Sequence, residues 1–71
     1  MYSNLSESEN AEYAALWRDC GNTLVNSWDY EHNIEDDTFQ SLTDEHEFYD
    51  GKKVRRLRDL AEKIMEQHNA R

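Results

Sequence analysis

KKVRRLRDLAEKIMEQH, residues 52–68, carries the clearest periodic signal in the chain. Val54, Leu57, Leu60, Ala61, Ile64 and Met65 recur every three or four positions, which at about 100° per residue gathers most of them on one face of a helix. Lys52, Arg55, Arg56 and Lys63 fall on the opposite face. The spacing predicts a closing helix over residues 52–69. Asp50-Gly51 just before it reads as the end of the preceding element. Such a pair also closes hairpins, but the flanking residues do not alternate as strands would.

Upstream, Tyr13, Leu16, Trp17, Cys20, Leu24 and Trp28 keep helical spacing and pass through Gly21 without a change of phase. A single long helix from about residue 9 to residues 30–33 is expected, with Gly21 inside it at about 1 kcal/mol relative to alanine. The alternative makes Gly21 a helix terminus, with Asn22 or Thr23 capping a second helix. Ser6 and Glu9 have the form of a capping box, and Leu5 stands where a hydrophobic staple would. Residues 1–8 read as a flexible lead-in to one helical domain over residues 9–71. EHNIEDD, residues 31–37, suits a connection, and Asp36 or Asp37 suits the cap of a short middle helix with Phe39, Leu42, His46 and Tyr49 as its stripe.

Composition agrees with helices. There is no proline and only Gly21 and Gly51, so the turns of an all-β domain lack their usual residues. The expected fold class is all-α: a small three-helix bundle, or a helical hairpin plus a short middle helix. At 71 residues the core is small, because a chain of this size buries only about 60% of its unfolded surface. The lone Cys20 closes no intramolecular disulfide and suits a reducing compartment. No apolar run approaches the roughly 20 residues of a membrane span, and the start lacks the pattern of a signal peptide. A soluble, cytoplasmic protein is expected, with no membrane contact.

Charge is segregated. Residues 1–51 hold thirteen acids against one base, Arg18, a net of −12; residues 52–71 hold seven bases against three acids, a net of +4. Five bases crowd the first turns of the closing helix, where the macrodipole already places partial positive charge, so something negative must lie near them. Acids of the same chain folding back supply one answer. An external anion supplies the other, whether nucleic-acid phosphate or an acidic protein surface.

Chemistry finds few candidates. His32, His46 and His68 match no metal-ligand spacing, Cys20 sits on an apolar stripe, and the paired acids lie in charge runs rather than around a pocket. Neither a catalytic centre nor a metal or cofactor is expected. Binding finds more. Asp29, Glu31, Glu35, Asp36, Asp37, Asp44, Glu45, Glu47 and Asp50, uninterrupted by any base, form a field of one sign. Phe48 and Tyr49 beside them have the composition of a protein-binding patch.

The leading expectation is a small acidic, non-enzymatic protein that binds and inhibits or modulates a protein partner, itself a nucleic-acid-binding protein in the sharpest version. Carboxylates at intervals of several ångströms imitate part of the charge pattern of DNA, as a phage-type inhibitor would use. One competitor binds nucleic acid directly through Lys52, Arg55, Arg56 and Lys63. Another is a homodimer that pairs its closing helices through Val54, Leu57, Ala61 and Ile64.

Overall fold

Helices open and close the chain, but its middle is a sheet. The computed structural model describes residues 2–69, with side chains described through Glu66. The His68 side chain and Arg71 lie outside that range. Elements run α1 (Glu7–Cys20), α2 (Asn22–Val25), a 3-10 turn (Ser27–Asp29), β1 (Tyr30–Asn33), β2 (Thr38–Ser41), β3 (Phe48–Asp50) and α3 (Gly51–Asn69). The strands form an antiparallel meander in the order β1-β2-β3. The all-α expectation is therefore corrected to a mixed helix–sheet fold.

The start of α1 follows the capping signal. Ser6 Oγ accepts from the Glu9 N–H at 3.1 Å, and Glu9 Oε1 accepts from the Ser6 N–H at 3.0 Å. Leu5 is no staple, because the facing position is Asn10; it is buried in the core instead. Asn10 Nδ2 donates to the carbonyls of Tyr2, Leu5 and Ser6 at 3.0, 3.2 and 3.0 Å, tying the lead-in back onto the helix.

The long first helix is also corrected. It ends at Cys20; Gly21 keeps a helical backbone into the short α2 and leaves room for the Trp17 ring, which lies where a Cβ at Gly21 would stand. Thr23 then donates its hydroxyl to the Cys20 carbonyl at 2.7 Å and is fully buried. After the short α2 and the 3-10 turn the chain extends into β1, leaving Trp28 81% exposed rather than in the stripe.

Residues 37–50 hold two strands instead of a middle helix, for two physical reasons. The inward positions of the sheet are Tyr30, His32, Phe39, Ser41 and Tyr49, so their alternation with outward residues is not one of apolar with polar. The turns use side chains in place of glycine and proline. Ser41 Oγ accepts from the Thr43 and Asp44 N–H groups at 3.2 and 3.1 Å, and Asp44 Oδ1 accepts from the His46 N–H at 2.9 Å. Asp37 takes a positive φ of 51°, a conformation that aspartate tolerates better than most residues.

The core lies between α1, α3 and the inner face of the sheet. It comprises Leu5, Tyr13, Leu16, Cys20, Phe39, Val54, Leu57, Leu60 and Ile64. Val54, Leu57 and Ile64, three positions of the pairing seam considered above, thus pack inside the monomer. The Arg58 guanidinium stands 5.0 Å from the centre of the Phe39 ring, joining α3 to β2. No helix among the described residues is long and apolar enough to cross a membrane.

Strands in the middle of the chain leave Leu57 in the core but take Leu42, a stripe residue of the expected middle helix, out of it. Leu57→Ala should cost about 2–5 kcal/mol in urea unfolding. Leu42→Ala, at a residue 61% exposed, should change stability by less than about 0.5 kcal/mol.

Candidate binding surface

The bases of α3 meet acids from two directions. Lys63 reaches Glu9 at 2.7 Å, Arg56 holds Glu12 through two bonds of 2.9 and 3.0 Å, and Lys53 lies 3.6 Å from Asp19. These pairs lace α3 to α1. Arg55 instead grips both oxygens of Asp37, with Nη2 to Oδ2 at 2.7 Å. The crowding of bases at the start of α3 thus has an internal cause. Its acids come mostly from α1, with Asp37 supplying the arginine contact from the middle segment. Of the proposed basic face, Arg55, Arg56 and Lys63 are engaged in this way, whereas Lys52 is exposed and has no ion pair among the described residues.

Asp37 is the most connected of these acids. Besides Arg55 it meets His32 Nε2 at 3.0 Å, and its carbonyl accepts from the Gly51 N–H at 2.8 Å. A Cβ on Gly51 would collide with the Asp37 carboxylate and stand 2.6 Å from its carbonyl oxygen. Arg55, and then His32, hold the Asp37 carboxyl well below the usual range. Lys63 similarly lowers Glu9 to about 2.

The sheet has a different electrostatic character. Of the nine acids between residues 29 and 50, only Asp37 bonds an arginine. The other eight have no lysine or arginine side-chain partner among the described residues, although Asp50 Oδ1 accepts from the Lys52 backbone N–H at 3.4 Å. Glu45 lies 3.7 Å from His46 Nε2, and Glu47 accepts from the Tyr49 hydroxyl and from Tyr30 at 2.7 Å. Those bonds, Tyr49 first, lower the Glu47 carboxyl, while burial and then Glu47 push the Tyr30 hydroxyl up. Asp29, Glu31, Glu35, Asp36, Asp44 and Asp50 are exposed.

The outward face of the sheet carries two cross-strand rows, Glu31-Gln40-Phe48 and Asn33-Thr38-Asp50. Phe48 is 56% exposed there, whereas its neighbour Tyr49 turns inward and packs edge-on to Tyr30 at 5.7 Å. The proposed aromatic pair is split between two faces, and Phe48 alone is open. Among the other exposed apolar side chains, Trp28 and Ile34, the latter 83% exposed, flank β1. The sequence reading passed over Ile34, which left a signal as the one apolar residue in EHNIEDD. An open groove of about 340 Å³ beside it is lined by Glu31, His32, Asn33, Ile34, Glu35 and Gln40. Among the described residues no group of three or more His, Cys, Asp or Glu is placed to hold a metal ion. Comparison with protein-family models, curated proteins and solved structures finds no match to this chain.

The lowered carboxyls set a direction for pH dependence. A carboxyl depressed in the folded state stabilises above its unfolded pKa, and that contribution is lost as pH falls through the folded value. Asp37→Asn suits the left-handed backbone while removing the charge. The urea midpoint of wild type should exceed that of Asp37→Asn at pH 7, with the gap closing below about pH 5. Comparing the two proteins cancels the relief of repulsion that protonation of the unpaired acids brings to both. Gly51→Ala should lower the midpoint at every pH, because its clash does not titrate.

Proposed function

We propose that this chain is a small acidic binding protein that docks through its sheet onto a basic surface of another protein and thereby inhibits or modulates it. One observation supports the reading above the rest: Glu9, Glu12 and Asp19 of α1 and Asp37 of the β1–β2 turn are paired with bases of α3, while the other eight acids between residues 29 and 50 have no lysine or arginine ion pair among the described residues. Trp28, Ile34 and Phe48 lie exposed among them, and apolar anchors within a polar rim are the composition of protein interfaces. The carboxylates provide the long-range attraction and the choice of a basic partner. In its sharper form the proposal has the partner's surface be one that otherwise binds nucleic acid, with carboxylates standing in for phosphates. The pairing of Arg55, Arg56 and Lys63 with the protein's own acids favours this over direct nucleic-acid binding by α3.

Affinity capture from lysate with immobilised wild type and a Glu31→Lys, Glu35→Lys, Asp36→Lys variant tests it, with circular dichroism confirming that both fold. Wild type should retain a protein that the variant loses and that excess duplex DNA elutes. Equal retention by both would remove the acidic surface from the interaction. Elution by salt but not by duplex DNA would remove only the imitation of nucleic acid.

A further inference from the structure

β1 is an edge strand whose outer side has no hydrogen-bonded neighbour among the described residues. Its register pairs Tyr30 with Ser41, Glu31 with Gln40, His32 with Phe39 and Asn33 with Thr38. In an antiparallel ladder, alternate residues direct their backbone groups to one neighbour and the rest to the other side. Three bonds settle which is which. The Leu42 N–H reaches the Asp29 carbonyl at 2.8 Å, placing the even-numbered residues of β2 opposite β1. The Ser41 N–H reaches Glu47 at 3.0 Å and the Gly51 N–H reaches Asp37 at 2.8 Å, placing the odd-numbered ones opposite β3. Glu31 and Asn33 therefore bond β2, and the N–H and C=O groups of Tyr30 and His32 point away from the sheet. No other hydrogen bond to those backbone groups occurs among the described residues.

We propose that this free edge of β1 accepts an extended, lysine- and arginine-rich segment of the partner as a fourth strand. The proposal rests on the function proposed above and names the part of the partner that docks. Charge complementarity selects the occupant. Asp29, Glu31, Glu35 and Asp36 lie along or just beyond the strand, and no lysine or arginine occurs between residues 19 and 51. A second copy of this chain would bring four more carboxylates to the same line, and like charges facing across strands are destabilising. A basic strand meets opposite charge instead. Its backbone takes the groups of Tyr30 and His32, the mode in which main-chain bonds give affinity and alternate side chains give specificity. Trp28 and Ile34, exposed at the two ends of β1, provide apolar anchors. The groove walled by Glu31 and Glu35 beside Ile34 suits the aliphatic stem and charged head of a lysine or arginine.

Synthetic peptides test the strand separately from the charge. The probe is a short peptide alternating valine and lysine; the controls are its valine–glutamate counterpart and the basic peptide N-methylated on alternate residues, in both registers. Affinity is read from tryptophan fluorescence, and geometry from amide hydrogen exchange by NMR. The basic peptide should bind and slow exchange at Tyr30 and His32. The acidic peptide should not bind. N-methylation in one register should weaken binding roughly tenfold by removing its bonds to the edge. Binding without protection of Tyr30 and His32, or equal binding by every N-methylated peptide, overturns the docking strand while leaving the acidic surface intact. Absence of binding by the basic peptide overturns it as well. So does a dimer mass in light scattering with Tyr30 and His32 already protected before peptide is added.

Discussion

At Asp37 three requirements of the fold meet in one residue. The β1–β2 turn needs a left-handed backbone there, and aspartate adopts one at modest cost. The passage from β3 into α3 needs an acceptor for the Gly51 N–H, which the Asp37 carbonyl supplies. The basic start of α3 needs a negative partner, which the Asp37 carboxylate supplies to Arg55. Burial of Val54, Leu57 and Leu60 provides most of the stabilisation, since exposed ion pairs contribute little. What the Asp37 contacts add is position: they set the hairpin against the helix so that Phe39 reaches the core under Arg58.

That placement divides the molecule electrostatically. With α3 held between α1 and the β1–β2 turn, four of its bases neutralise Glu9, Glu12, Asp19 and Asp37. The remaining sheet carboxylates have no such partner among the described residues and project from loops and strand faces. Net charge of this kind opposes self-association and raises the rate of encounter with basic partners. It also costs the fold some repulsion, which the small core must overcome.

The helices were legible because their signals are local. A capping box is four residues long, and the stripe of α3 repeats over about three turns with its charged side intact. The sheet was hidden because its signals are not local. Ser41 and His32 occupy inward positions through contacts with Thr43 and Asp37 that no spacing rule anticipates. Asp37 and Asp44 build turns that glycine or proline would have advertised. The phase that carried Tyr13, Leu16 and Cys20 through Gly21 as far as Trp28 was coincidence beyond Leu24. Likewise the acidic character of residues 29–50 was plain, but which acids remain unpaired depended on α1 and α3 lying side by side. Phe48 and Tyr49 show the same limit: adjacent residues share a helical neighbourhood but lie on opposite faces of a strand.

An open edge strand ordinarily invites pairing with copies of itself, and charged residues along the edge are a common defence. Here that defence has one sign only. Mixed charges on β1 would repel copies weakly and basic chains not at all selectively, whereas carboxylates alone repel a copy and attract a basic strand. In the proposed docking mode the residues that oppose addition of a copy are also those that select a basic strand, and the short length of β1 leaves the anchoring to Trp28 and Ile34 at its two ends. In that mode selectivity would follow from the charge of residues 29–36, and affinity from backbone groups that any extended chain could meet.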